Sequence, residues 1–166
     1  LLGGEEEPGA APREQRASDS SAEDAAAEDA SAPSGPGECA PEQISLVAIS
    51  DATSYAEGGK ARFGMRITNT GKADCTMDAG SAALELTVVS GKDRIWSSDD
   101  CQESAQSVPT TVSPGEAGAL ESSVDWNLAR SAKGCAKDLP PLKAGTYQLL
   151  ARAGDLTSKP LVFAIQ

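Results

Sequence analysis

The sequence predicts an all-β domain, an antiparallel sandwich of seven to eight short strands, preceded by a disordered acidic tail. Three observations predict it. Apolar residues recur at every second position in several runs, as in strands with one wet face. Turn signals built on Gly, Pro, Asn and Asp separate those runs at short intervals. The apolar residues are also confined. All six aromatics (Tyr55, Phe63, Trp96, Trp126, Tyr147 and Phe163) lie beyond residue 38, and residues 3–38 contain no Leu, Ile, Val, Met or Phe.

A segment without apolar side chains cannot offset the entropy of ordering its backbone. Residues 1–38 therefore read as a disordered linker rich in Ala, Glu, Ser and Pro, and residues 39–166 as the folded domain. The linker carries ten acidic and two basic side chains, net −8, and the domain fifteen and twelve, net −3. Like charge and proline keep such a chain extended, so a spacer is expected. Neither segment offers the basic face that nucleic acid requires, so no nucleic-acid partner is expected. Leu1-Leu2-Gly3-Gly4 reads as the trailing end of an apolar segment. A membrane anchor upstream of Leu1 is the only expected link to a membrane.

In the domain, Ile44–Ile49 reads as a first strand with few polar gaps, so both its faces are expected to be partly covered. Phe63, Met65 and Ile67 then alternate with Arg62, Gly64, Arg66 and Thr68. Leu84, Leu86 and Val88 form the inner face of the next strand, which returns through Gly91-Lys92 to Arg94-Ile95-Trp96-Ser97 as a hairpin. Pairing Ser90 with Asp93 sets Ile95 opposite Val88 and places Trp96 opposite Thr87, on the outer face. Val108–Val112 holds a proline and suits a short or edge strand. Leu120, Ser122, Val124 and Trp126 alternate next, which assigns Trp126 to the core. After a long connection, residues 127–144, come Thr146–Ala153 and Leu156–Ile165, with Tyr147, Leu149, Leu161 and Phe163 inward. Strands of unequal length and one long connection favour an immunoglobulin-like sandwich over a closed barrel.

Cys39, Cys75, Cys101 and Cys135 are even in number, lack a C-x-x-C pair, and occur in a chain without histidine. Two disulfides in an oxidising compartment explain them better than zinc. The hairpin register brings Cys101 near Cys75, which leaves Cys39 with Cys135. Each closed loop is expected to stabilise the domain by about 3–5 kcal/mol.

The string from RITNTGKADC through SGKDRIWSSDDC to RSAKGC and AGTYQLLARAGDLTS, over residues 39–166, resembles a group of actinobacterial envelope proteins. That resemblance implies an N-terminal transmembrane helix, an acidic linker and one immunoglobulin-like domain of four-cysteine type, secreted or membrane-anchored. The strand–Gly–strand–Trp element, Ser113-Pro114-Gly115-Glu116 and Ala144-Gly145-Thr146-Tyr147 more loosely resemble the BsuPI-type proteinase-inhibitor domain. Neither resemblance brings catalytic residues.

Without histidine the chain has no Ser-His-Asp or Cys-His arrangement, and it has no G-x-S-x-G, S-x-x-K or phosphate-cradling loop. No catalytic residue, cofactor or metal site is assigned, and no enzyme is expected. Asp99-Asp100 are adjacent and read as a solvated turn rather than a catalytic pair. A calcium site from Asp74, Asp78, Asp99 and Asp100 is the weaker reading. Trp96 beside Asp99 and Asp100, on the face expected to be wet, is the candidate binding corner. The expected function is a non-enzymatic extracytoplasmic interaction module with a protein or cell-envelope partner. The alternative is a proteinase-inhibitor-like domain that presents residues 99–108 or 127–144.

Overall fold

The computed structural model describes residues 35–166. The expected acidic tail lies outside the described residues as far as position 34. Eleven strands form: β1 (Ile44–Ser50), β2 (Ser54–Tyr55), β3 (Ala61–Asn69), β4 (Cys75–Asp78), β5 (Leu84–Ser90), β6 (Asp93–Ser97), β7 (Pro109–Val112), β8 (Leu120–Trp126), β9 (Gly145–Ala153), β10 (Leu156–Thr157) and β11 (Leu161–Ile165). No α-helix occurs among the described residues, so none there is long and apolar enough to cross a membrane.

The strands build an immunoglobulin-like sandwich. One sheet runs β1-β3-β8, the other β2-β11-β9-β5-β6 with β10 beside β9, and β4-β7 form a separate ribbon. The chain changes sheet between β1, antiparallel to β3, and β2, parallel to β11, and this closes one side of the sandwich. Tyr147, near the start of β9, donates its hydroxyl to the Lys143 carbonyl, the tyrosine corner of such sandwiches. Three of the strands exceed or break the expected pattern. β2 and β4 are too short to show a period, and Ser158-Lys159-Pro160 divides the expected last strand into β10 and β11, because Pro160 cannot donate to a ladder. β1 covers only one face: Ala48 is buried, whereas Val47 is 50% exposed.

The expected inner rows are the core. Phe63, Met65 and Ile67 of β3, Leu86 and Val88 of β5, Tyr147, Leu149 and Ala151 of β9, and Phe163 and Ile165 of β11 are all buried, as is Trp126. All six aromatics join one cluster. Trp96 packs on Trp126 with ring centroids 5.5 Å apart, Trp126 on Phe63 at 5.5 Å, Phe63 on Phe163 at 5.1 Å, and Phe163 on Tyr147 at 5.7 Å. Tyr55 stands edge-on to both phenylalanines. Its hydroxyl donates to Asp51, and burial together with that carboxylate raises its pKa to about 12.

Two expectations are corrected here. Trp96 does not face outward. Ser90 pairs with Asp93 as expected, but the register slips between Val88 and Val89, so Val88 meets Trp96 and Thr87 meets Ser97. One extra residue in β6 turns every later side chain to the opposite face.

The disulfides are Cys39–Cys75 and Cys101–Cys135, not Cys75–Cys101 and Cys39–Cys135. Cys75 opens β4, and residues 37–39 run beside it: Cys39 N–H donates to Thr76 O, and Thr76 N–H to Gly37 O. Cys101 follows β6, along which the long connection passes, with Ser131 N–H donating to Ile95 O. Each bridge therefore joins neighbouring segments of chain. The loops, with separations of 36 and 34 residues, each stabilise by about 4 kcal/mol in the chain-entropy picture.

Cys101 and Cys135 are exposed, whereas Cys75 is 4% exposed. Mild reductant should open Cys101–Cys135 first, because a thiolate must reach the sulfur it attacks. Differential alkylation with peptide mapping is expected to label Cys101 and Cys135 well before Cys39 and Cys75. Simultaneous labelling of all four would contradict this order.

Candidate functional site

The three residues of the expected binding corner do not share a surface. Trp96 lies between the sheets at 9% exposure. Asp99 and Asp100 lie on the far side of β6, in a turn that follows it. That turn is not solvated at Asp100, which is 5% exposed. Arg94 grips Asp100 with two nitrogens, at 2.7 and 3.1 Å, and Ser131 donates its hydroxyl to the same carboxylate. Burial opposes ionisation of Asp100, but Arg94 and Ser131 outweigh it and hold the carboxyl below its ordinary value. Glu85 is held down in the same way, with burial overcome by Ser97 and Arg152. Asp99 is the exception. Burial and the neighbouring Glu85 raise it, Arg152 is 3.8 Å away, and its Oδ1 has no hydrogen-bond partner.

This cluster is a brace. It fixes the turn after β6 and, through Ser131, the start of the long connection. Ser131 Oγ also accepts the Ser97 N–H, and Arg130 pairs with Asp93 at 2.8 Å. The calcium reading loses its geometric basis, because no Cys75–Cys101 bridge gathers the four aspartates. Asp78 instead accepts the Gly80 and Val108 N–H groups and the Ser107 hydroxyl, which organises its own loop. Among the described residues no three Cys, Asp or Glu side chains converge as a metal site.

What the brace supports is an exposed pair of loops. Residues 99–108 and 127–144 are tied by Cys101–Cys135. The longer one departs from ordinary backbone geometry at three non-glycine residues, Leu128 (φ 54°), Cys135 (φ 60°) and Asp138 (φ 61°). Left-handed conformations of that kind persist only where the surroundings impose them. Burial of Leu128 beneath the core, and the Trp126 indole N–H donated to Ala129 O, impose the first. Beyond it, an open recess of about 570 Å³ is walled by Leu128, Leu139, Pro140 and Leu142, with Arg130 and Lys137 at its margin.

The loop also reverses the charge of its domain. Residues 127–144 carry Arg130, Lys133, Lys137 and Lys143 against Asp138, net +3, inside a domain of net −3. Lys133 and Lys137 are exposed, and neither is in an ion pair among the described residues. These residues escaped the sequence reading because charge was summed over the whole domain. A count over the connection alone would have found them.

No family model and no curated protein matches the chain in sequence. Solved structures are similar to it only distantly, at low identity. The sporulation control protein Spo0M of Bacillus subtilis is 12% identical at a TM-score of 0.46, over 75% of this chain and 49% of that one. The alkylpurine DNA glycosylase AlkC of Pseudomonas fluorescens, bound to DNA containing an abasic site analog, is 7% identical at 0.45, over 75% and 30%. A β-glucosidase of Listeria innocua in complex with isofagomine is 8% identical at 0.43, over 74% and 16%. The chain thus spans half or less of each of these proteins.

If the Asp99–Asp100 corner is a brace, its two aspartates should respond oppositely to neutralisation. Asp100→Asn is expected to cost about 2 kcal/mol at pH 7, the scale of a charged hydrogen-bonded pair. Asp99→Asn should be neutral or mildly stabilising, since its ionised form is disfavoured in the fold. The pH dependence follows in sign. Asp100 and Glu85, held down in the folded state, contribute stability above their unfolded values and lose it as pH falls through the folded ones. Asp99, raised, costs stability when ionised and is relieved as pH falls through its folded value. Urea unfolding of both variants across pH 3–7 checks this, and equal losses at pH 7 would contradict it.

Proposed function

We propose that this chain is a non-enzymatic interaction module that works in an oxidising, extracytoplasmic compartment. It is secreted or anchored outside the cytoplasm, as in the four-cysteine actinobacterial proteins it resembles. Residues 1–38 serve as an acidic spacer, and the contact surface for a protein or cell-envelope partner is the loop pair 99–108 and 127–144. The observation that carries this reading is the combination at that pair: a disulfide, an ionic brace on the buried Asp100 carboxylate, imposed backbone geometry and lysines outside any ion pair among the described residues. Rigid loops bind with less ordering entropy to offset, which is how a small surface becomes specific.

A second reading has support from one observation. Both segments suited to an inhibitory loop are held by the single bridge Cys101–Cys135, and a protease inhibitor needs an exposed loop kept from relaxing. Lys133 or Lys137 would then be the residue offered to a protease of basic specificity.

One pair of variants tests the surface. With the immobilised domain exposed to solubilised cell-envelope fraction, Lys133→Glu with Lys137→Glu should reduce the retained partner at least tenfold. Lys72→Glu with Lys159→Glu, exposed elsewhere, should leave it unchanged. Equal retention by both pairs would overturn the assignment. Incubation with trypsin-like proteases separates the second reading: stoichiometric inhibition would establish it, and clean cleavage after Lys133 or Lys137 would dismiss it.

A further inference from the structure

The sandwich is closed on one side by the crossing from β1 to β2 and open on the other. On the open side β6 is shielded, because residues from the long connection run beside it and a bulge interrupts its ladder. β8 is not. It pairs with β3 on one edge, and among the described residues no strand pairs with the other. It runs for seven residues without a proline, a bulge or an inward charge, and the blunting devices it carries are the outward carboxylates Glu121 and Asp125. In the seven-strand immunoglobulin sheet a further strand sits at this edge. Here β7 pairs with β4 instead.

The direction of the free groups follows from the ladder. Asp51 N–H donates to Arg62 O, and Arg62 N–H to the Asp51 carboxylate, so the peptide groups of Arg62 point away from β8. Alternation then turns those of Ala61, Phe63, Met65 and Ile67 toward Trp126, Val124, Ser122 and Leu120, their partners on β8. The N–H and C=O groups of Glu121, Ser123 and Asp125 therefore face the open edge. All three residues are exposed.

Two recesses open beside this edge and reach across to the other sheet. One, of about 160 Å³, is lined by Met65, Leu86, Ser98, Ser122 and Val124. The other, of about 370 Å³, lies against Trp96 and Trp126 with Lys60 and Asn127. A strand added to β8 would direct alternate side chains, about 7 Å apart, into this inter-sheet opening. On its outer face it would meet Glu121 and Asp125. There three carboxylates (Glu116, Glu121, Asp125) share two guanidiniums, Arg62 and Arg66, which leaves a net charge of −1.

We propose that the β8 edge is a strand-addition site for an extended segment of a partner protein. The segment carries small apolar side chains at alternate positions and basic ones between them. Main-chain bonds to Glu121, Ser123 and Asp125 supply affinity, and the recesses and acidic outer face supply selectivity. The occupant is not a second copy of this chain. Antiparallel self-pairing centred on Ser123 would set Glu121 opposite Asp125 of the other copy, and like charges directly opposite one another oppose pairing. The site borders the loop pair at Gln102 and Asn127, but its main-chain groups belong to β8 alone, so it stands without the loop-pair reading.

The test uses the purified chain and capped heptapeptides, with valine at the second, fourth and sixth positions and lysine at the third and fifth. Saturable binding is expected by titration calorimetry, with amide exchange of Glu121, Ser123 and Asp125 slowed at least tenfold. The same peptide with glutamate for lysine should bind at least tenfold more weakly. Ser123→Pro removes an outward N–H while sparing the ladder to β3, and it should abolish binding. The exchange readout on the unmodified chain keeps the test valid if that variant is unstable. Absence of binding at millimolar peptide, protection elsewhere, or equal binding of the glutamate peptide would overturn the proposal. So would protection of the same three amides in a peptide-free dimer.

Discussion

The aromatic cluster is the constraint on which the rest of this domain depends. Six aromatic side chains are few for a sandwich, and none is spent on the surface. They come from β2, β3, β6, β8, β9 and β11, so the cluster touches both sheets. Aromatic pairs at these distances add about 0.5–1.5 kcal/mol each beyond the area they bury. In so small a core, that geometry sets how the sheets lie on one another. Trp96 and Trp126 form its outer end, and the Leu128 turn begins immediately below them.

From that end the domain becomes polar in a defined order. The long connection leaves Trp126, buries Leu128, and returns past β6, where Ser131 meets Asp100. Arg94, Asp100 and Ser131 make the turn after β6 and the connection one unit, and Cys101–Cys135 closes it covalently. The other bridge, Cys39–Cys75, does the same for the entry of the chain beside β4. Both disulfides thus secure segments that the core cannot reach, which explains why a domain with so few aromatics can carry long irregular loops.

How much of this was legible in the sequence depended on whether a rule of period two applied. It applied to Phe63-Met65-Ile67, to Leu120–Trp126 and to Tyr147–Ala151, whose inner faces are read directly from alternation. It failed at Trp96, because a bulge adds one residue that no local pattern announces. At Asp99-Asp100 the expected turn forms, but Asp100 is buried rather than solvated, because its partners Arg94 and Ser131 come from other segments that no local pattern reveals. The disulfides were misassigned for a third reason. The pairing depends on β4, four residues of mixed character, whose neighbours at residues 37–39 and at β7 are distant in sequence. Long-range pairing of short strands leaves no local trace. The candidate surface was half legible: both loops were found, but not the bridge between them or the charge that distinguishes one.

The placement of Trp96 inside the sandwich separates this account most sharply from the simple hairpin register. Equilibrium urea unfolding of Trp96→Ala measures it directly. Loss of a buried indole from the Trp126 stack is expected to cost about 3 kcal/mol or more. A change within about 0.5 kcal/mol, the scale of an ordinary surface substitution, would contradict the account and return Trp96 to the outer face.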